Sequence, residues 1–486
     1  MPINPQVFRE YDIRGNAERD FSEPDLRRLT EAIVTYFASH GRKQMVLGHD
    51  CRVSSPRITA TMIDVAMRRG MNVIEIGMVT TPAFYYATKH LGVDAGLVVT
   101  ASHNPPPDNG MKVLLGPSTI HGTEIQRLRH LVAASHQPPA AGSEEALRYP
   151  LSANPKREVQ SHQPPAASRQ ETDILTPYVA MLAEKIRLGP RRLKVVVDCG
   201  NGTAGPVTER FLEALGIDYI PLYFTPDGTF PNHEADPTKL KNLADLRARV
   251  LAEKADLGIG FDGDGDRIGV VDDLGNVIWG DMLMALFWRE ILPKHPGTTC
   301  LVEVKCSQGL VDEIVRLGGR PEFTKTGHSL IKARMRELGA VFTGEMSGHI
   351  FFADEYYGFD DALYAAGRLL RLLSHNPDKL SALIATLPTY YSTPETRIPC
   401  PDELKFGVVD ELTQILARQY PTITVDGVRV QFPEGWGLFR ASNTGPVIVT
   451  RCEGKTPALR QEYMHILDEA LAKVLPGVAI PWEVGN

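Results

Sequence analysis

Short apolar, β-branched runs alternate with stretches of helical periodicity through the first half of the chain. Residues 45–48, 72–76 and 95–99 read as buried strands, and between the first two the segment 54–69 puts Ile58, Met62, Val65 and Ala66 on one helical face. That alternation predicts parallel sheets flanked by helices. The rhythm repeats: a strand at 194–198 enters a Gly-rich turn, a helix follows around 208–215, and a second strand at 256–261 ends in a cluster of carboxylates. A third block opens near Val277, with a strand at 300–304 and a helix at 360–373. After Tyr390 the chain turns to strand and turn segments (397–399, 427–432, 447–449), closed by a helix from about 456 to 474. The expected organisation is three α/β blocks and an α+β tail, bounded at 1–173, 174–276, 277–388 and 389–486. The segment 133–170 stands apart. Rich in Pro, Ala, Ser and Gln, it repeats the heptapeptide Ser-His-Gln-Pro-Pro-Ala-Ala at 135–141 and 161–167, and reads as a mobile surface insert that cannot bury enough apolar area to order itself.

Composition narrows the partners. A chain of 486 residues is long enough for three or four domains and for clefts between them. Its formal net charge of −7 disfavours nucleic acid or an anionic membrane as the main partner, which leaves small molecules. The longest nearly apolar run, 282–288, is far short of the ~20 residues that span a bilayer. Six cysteines lie far apart with no CxxC pair, the pattern of reduced, buried thiols, and the first residues lack a signal-peptide pattern. The expectation is a cytoplasmic protein, monomeric or homodimeric.

Four loops carry chemistry. The strongest signal is Gly260-Phe261-Asp262-Gly263-Asp264-Gly265-Asp266-Arg267, directly after an apolar strand. Carboxylates at alternate positions of an extended backbone share one side, and the glycines between them let the loop curl so that all three converge. Such like charges require a cation. An EF-hand also begins with Asp at alternate positions, but its sixth position must be Gly where this chain has Arg267, and a strand-like run follows. Mg²⁺ with few protein ligands and a phosphate partner fits better. The second loop, Thr100-Ala101-Ser102-His103-Asn104-Pro105, follows a strand at the end where α/β sheets place ligands. It presents a serine that a metal or base could activate. Lys112 lies ten residues on, across a turn expected at 107–110, and can neutralise phosphate or accept a proton. The third, Gly344-Glu345-Met346-Ser347-Gly348-His349, offers donors and acceptors for sugar hydroxyls. The fourth, Arg440-Ala441-Ser442-Asn443-Thr444-Gly445, has the makings of a phosphate cradle. Arg9, Tyr11, Arg14, Lys305 and Lys325-Thr326-Gly327-His328 are smaller contributors. One loop per block describes a cleft that transfers phosphoryl groups on a phosphorylated sugar.

These motifs, in this order and together with Phe8-Arg9-Glu10-Tyr11-Asp12-Ile13-Arg14-Gly15, resemble the α-D-phosphohexomutase family, most of all its bacterial phosphomannomutase/phosphoglucomutase branch. The resemblance implies three similar mixed-sheet α/β domains and a C-terminal α+β domain, an antiparallel sheet with helices, around a central active-site cleft. It implies that Ser102 is phosphorylated, and that Mg²⁺ is held by Asp262, Asp264, Asp266 and the Ser102 phosphate. Arg14, His103, Lys112 and Arg267 would stabilise the phosphoryl group or move protons. Tyr11, Lys305, Gly327, His328, Glu345, Ser347 and His349 would bind the sugar, and Arg440, Ser442, Asn443 and Thr444 the phosphate that is not reacting. The implied reaction interconverts hexose 1-phosphate and hexose 6-phosphate through a hexose 1,6-bisphosphate. The Glu-Met-Ser-Gly-His loop favours mannose and glucose phosphates over glucosamine phosphate. A metal-dependent sugar phosphatase and a non-catalytic sugar-phosphate sensor are the rival readings.

Overall fold

The computed structural model describes residues 3–134, 167–443 and 445–482. The chain builds three α/β units and a C-terminal α+β unit. In the first, the strand order across the sheet is Ile13–Asn16, Asp108–Leu115, Ala95–Val99, Gln44–His49, Asn72–Met78 and Arg169–Glu171. The last four run parallel, whereas Asp108–Leu115 pairs antiparallel with both neighbours. The sheet is therefore mixed rather than parallel. The reason is local: the turn expected at 107–110 ends by Pro107, and Asp108 already opens a strand that doubles back along Ala95–Val99. This hairpin carries the serine loop at its tip. Its outer neighbour pairs Arg14 with Gly110, which brings Arg14 to the same edge.

The helix Ser55–Arg68 buries Ile58, Met62, Val65 and Ala66, the face its periodicity predicted. Strand Arg169–Glu171 takes its place at the sheet edge, with Ser168 N–H donating to Asn72 Oδ1. Ordered pairing thus begins inside the segment read as an insert, whose residues 135–166 lie outside those described.

The second sheet has the order Val277–Ile278, Ile268–Asp272, Leu257–Phe261, Lys194–Asp198 and Asp218–Leu222. Val277–Ile278 pairs antiparallel with Ile268–Asp272, so it closes this sheet instead of opening the next block. In the third unit Thr299–Glu303 runs parallel to Arg320–Thr324, and Phe342–Gly344 pairs antiparallel with Ile350–Phe352. Thr343 Oγ1 donates to Leu301 O at 2.8 Å and ties the two ribbons together. The first three units share a continuous core in which Phe287, Trp288, Phe342, Phe352 and Tyr364 interlock edge to face. The last unit is an antiparallel sheet centred on Gly435–Ala441 and Val447–Gly454, covered by helices Lys405–Ala417 and Pro457–Val474 around a separate core. Among the described residues no helix is long and apolar enough to cross a membrane, and all six cysteines are free thiols.

Candidate active site

Ser102 and the aspartate loop meet at the junction of the first two units. Ser102 is buried and adopts a left-handed backbone, φ 51°, which a non-glycine residue holds only when its surroundings impose it. Its Oγ donates to Asp262 Oδ2 at 2.7 Å and lies 3.1 Å from His103 Nδ1. A Cβ on Gly263 would stand 2.4 Å from Ser102 O, so only glycine lets the two loops approach this closely. The three aspartates converge, but through a tight connection between antiparallel strands Leu257–Phe261 and Ile268–Asp272 rather than along an extended segment.

Each carboxylate has a distinct set of partners. Asp262 Oδ1 accepts from Asp266 N–H at 3.0 Å and Arg267 N–H at 3.1 Å. Lys112, itself buried, donates to Asp264 Oδ2 at 2.8 Å and Asp266 Oδ2 at 2.5 Å. Thr81 Oγ1 also donates to Asp264 Oδ2, at 2.6 Å. The other oxygens, Asp264 Oδ1 and Asp266 Oδ1, are buried and have no hydrogen-bond partner. One oxygen from each of the three aspartates lies within 4.8 Å of the others. Burial, with Asp266 and Asp264 adding to it, pushes the Asp262 carboxyl well above its ordinary range. Three converging carboxylates, two of which carry a buried oxygen without a hydrogen-bond partner, fit a divalent cation.

Lys112 departs from one expected role. Burial opposes its charge, but Asp264 and Asp266 override that and hold its pKa well above the ordinary lysine value. It therefore keeps its proton instead of accepting one. His103 is the reverse: burial, reinforced by Arg267 and Arg14, pushes it well below its ordinary value, so it is neutral at pH 7. Arg14 reaches Asn104 Oδ1 at 2.7 Å and also pairs with Asp12.

The third unit supplies a histidine pair. Arg267 Nε donates to His349 Nε2 at 2.9 Å, which leaves Nδ1 as the protonated nitrogen, 3.1 Å from Asp360 Oδ2. His328 stacks on His349 at 5.3 Å between ring centroids. Glu345 accepts from Gly327 N–H at 3.0 Å and from Ser347 Oγ at 2.9 Å. From the fourth unit, Arg440 donates to Asp426 Oδ2 at 2.9 Å and Asn443 Nδ2 to Tyr11 OH at 2.9 Å, so the first and last units touch at the cleft. Ser442 is buried beside them, and Thr444 lies outside the described residues. Lys305 is tied to Glu395 Oε2 at 2.9 Å. Thr81, Asp360 and Asp426 escaped the sequence reading. Asp360 sits beside Asp361, the N-cap of helix Ala362–Ser374, and a carboxylate there reads as a cap.

The Lys305–Glu395 contact joins the third and fourth units and gives a pH prediction. Burial works against a charged Glu395, but Lys305 overrides it and the carboxyl falls from 4.5 to about 2. A depressed carboxyl contributes stability that is present above pH 4.5 and lost as the pH falls towards 2. The Glu395 side chain is 20% exposed, so the contribution is at most about 2–3 kcal/mol. In urea unfolding, Glu395→Gln should be less stable than wild type by about that amount at pH 7, and the gap should narrow as the pH falls from 4.5 towards 2. A gap independent of pH would contradict this assignment.

Comparison with known proteins decides the family. The chain matches phosphoglucomutase/phosphomannomutase alpha/beta/alpha domain I over residues 5–139, domain II over 176–275, domain III over 279–391 and the C-terminal domain over 395–470. It belongs to the phosphoglucomutase/phosphomannomutase family. A phosphomannomutase/phosphoglucomutase of Pseudomonas syringae is 39% identical over 483 residues, covering 99% of this chain and 98% of that protein. A phosphoglucomutase of Neisseria meningitidis is 38% identical, covering 94% of each. A phosphoglucomutase/phosphomannomutase family protein of Burkholderia thailandensis superposes with a TM-score of 0.88 at 36% identity, covering 99% of this chain and 100% of that one. Membership in this family agrees with the fold class read from the motifs.

Proposed function

We propose that this protein is a phosphohexomutase that interconverts hexose 1-phosphate and hexose 6-phosphate, with mannose or glucose as the sugar. The observation that carries the proposal is the buried contact between Ser102 Oγ and Asp262, the first of three converging aspartates. Mg²⁺ would be held by Asp262, Asp264, Asp266 and the phosphate on Ser102. When bound, it would neutralise charge on the phosphoryl group in transit.

The chain's own residues account for the rest. Phosphoryl transfer needs positioning and charge neutralisation more than covalent assistance. The phosphoryl group leaves Ser102 as its bond to Oγ breaks and a bond to the free hydroxyl of the sugar forms, giving a hexose 1,6-bisphosphate. The hydroxyl proton goes to a base. Lys112 holds its proton, so the imidazole of His103, 3.1 Å from Ser102 Oγ, is the group placed to relay one. Arg267 and Arg14 would neutralise charge on the transferring group. Glu345, Ser347, His328 and His349 offer donors and acceptors to the sugar, and Arg440 with Ser442 and Asn443 holds the distant phosphate. The bisphosphate then reverses in the cleft, its other phosphate returns to Ser102, and the proton is given back. The cradle meets the phosphate at either end of the sugar, so the fourth unit shifts between half-reactions. The six free thiols support a cytoplasmic location.

Phosphorus NMR of mannose 1-phosphate and of glucose 1-phosphate, with Mg²⁺ and catalytic hexose 1,6-bisphosphate, tests the proposal. The 6-phosphate should appear without inorganic phosphate. Free phosphate would instead mark a phosphatase, no change a sensor, and turnover of glucosamine 1-phosphate alone the other branch of the family.

A further inference from the structure

Arg52 is among the most deeply buried arginines of the described residues, and its side-chain hydrogen bonds end on carbonyls of the stretch 102–108. Its Nη2 donates to Ser102 O at 2.8 Å and Asn104 O at 2.7 Å, and its Nη1 to Pro105 O at 2.8 Å and Asp108 O at 2.9 Å. Asp50 Oδ2 lies 3.2 Å from Nε and balances the charge. Four carbonyls of the serine loop thus converge on one planar fork, a geometry that a lysine ammonium cannot reproduce. Those carbonyls belong to the loop that holds Ser102 in its left-handed conformation, and the fork's grip offsets the strain of that residue.

The second unit presses on Arg52 from the other side. A Cβ on Gly228 would stand 2.6 Å from Arg52 Cα, Phe230 places its ring 5.3 Å from the guanidinium carbon, and Cys51 N–H donates to Thr203 Oγ1 at 3.0 Å. The same unit carries the aspartate loop that meets Ser102. We infer that Arg52 is a positioning residue: it fixes the carbonyls of the serine loop so that Ser102 Oγ faces the aspartates, and it ties that setting to the docking of the second unit. It touches neither Oγ nor the site of the transferred phosphoryl group. The inference rests on the reading of Ser102 as the phosphate carrier.

Arg52→Lys keeps the charge but not the fork. The rate of Ser102 phosphorylation by glucose 1,6-bisphosphate, and kcat with it, should fall about 10- to 100-fold per molecule able to bind bisphosphate, with KM for the hexose phosphate within about twofold of wild type. Amide exchange in the peptide spanning 100–108 should quicken while the rest of the first unit stays protected. Asp50→Asn, which can keep Oδ1 as the acceptor for Arg52 N–H and Ser55 Oγ but puts a neutral amide where the charged Oδ2 faces the guanidinium, should lose less in the same direction. A kcat for Arg52→Lys within twofold of wild type, or a loss that merely matches the fraction of molecules unable to bind bisphosphate, would overturn the inference. If Arg52→Lys fails to fold, an unchanged kcat for Asp50→Asn overturns it. Absence of phosphate on Ser102 in the wild-type protein would instead overturn the reading beneath it.

Discussion

Ser102→Ala should fold normally and lose mutase activity by at least about 10⁴-fold. The substitution removes one oxygen from a buried site and little else. Asp262 keeps its two backbone N–H donors from Asp266 and Arg267, and the four carbonyls gripped by Arg52 are untouched. The free energy of unfolding in urea should therefore change by about 1 kcal/mol or less. The loss falls on kcat because no other serine, threonine or cysteine hydroxyl or thiol shares the contact with Asp262 among the described residues. Steady-state assays with both sugar phosphates check the first half of this expectation and denaturation the second. Activity within tenfold of wild type would remove Ser102 from the reaction.

Lys112→Met should damage both stability and turnover. Lys112 neutralises Asp264 and Asp266 in a fully buried setting, and removing one partner of such a cluster costs about 3–5 kcal/mol because the carboxylates are left uncompensated. Mutase activity should drop by about 10³-fold or more, since the misplaced carboxylates line the reaction site. Added Mg²⁺ should restore part of the lost stability and should do so more strongly than in wild type, because a divalent cation can take over the neutralisation that Lys112 supplied. Urea unfolding of both proteins with Mg²⁺ and with EDTA measures this. Equal midpoints for variant and wild type without metal would show that Lys112 carries no such burden.

The legible parts of the chain were those whose physics is local. Strand Lys194–Asp198 and helix Pro457–Val474 follow the apolar pattern almost residue for residue, and Asp262, Asp264 and Asp266 stand out because three carboxylates so close together demand a partner. What escaped depends on contacts far apart in sequence. The antiparallel return of Asp108–Leu115 lay beyond the apolar periodicity, since no local pattern fixes strand direction, and only the family resemblance implied a mixed sheet. Lys112 reads as a phosphate ligand in sequence, yet its neighbours in space are carboxylates more than 150 positions away. Arg52 was invisible for another reason. It binds backbone carbonyls, which every residue carries, so nothing in the partner's sequence announces it.

The central claim is that one phosphoryl group passes between Ser102 and the sugar. Protein phosphorylated on Ser102 with ¹⁸O-labelled phosphate, freed of bisphosphate and mixed with unlabelled glucose 1-phosphate, tests it in a single turnover. Mass spectrometry of the sugar products should find the labelled phosphoryl group on the 6-oxygen, in glucose 1,6-bisphosphate or glucose 6-phosphate, with the label lost from the Ser102 peptide in step. Label recovered as inorganic phosphate, or retained on the peptide while glucose 6-phosphate accumulates, would contradict the account.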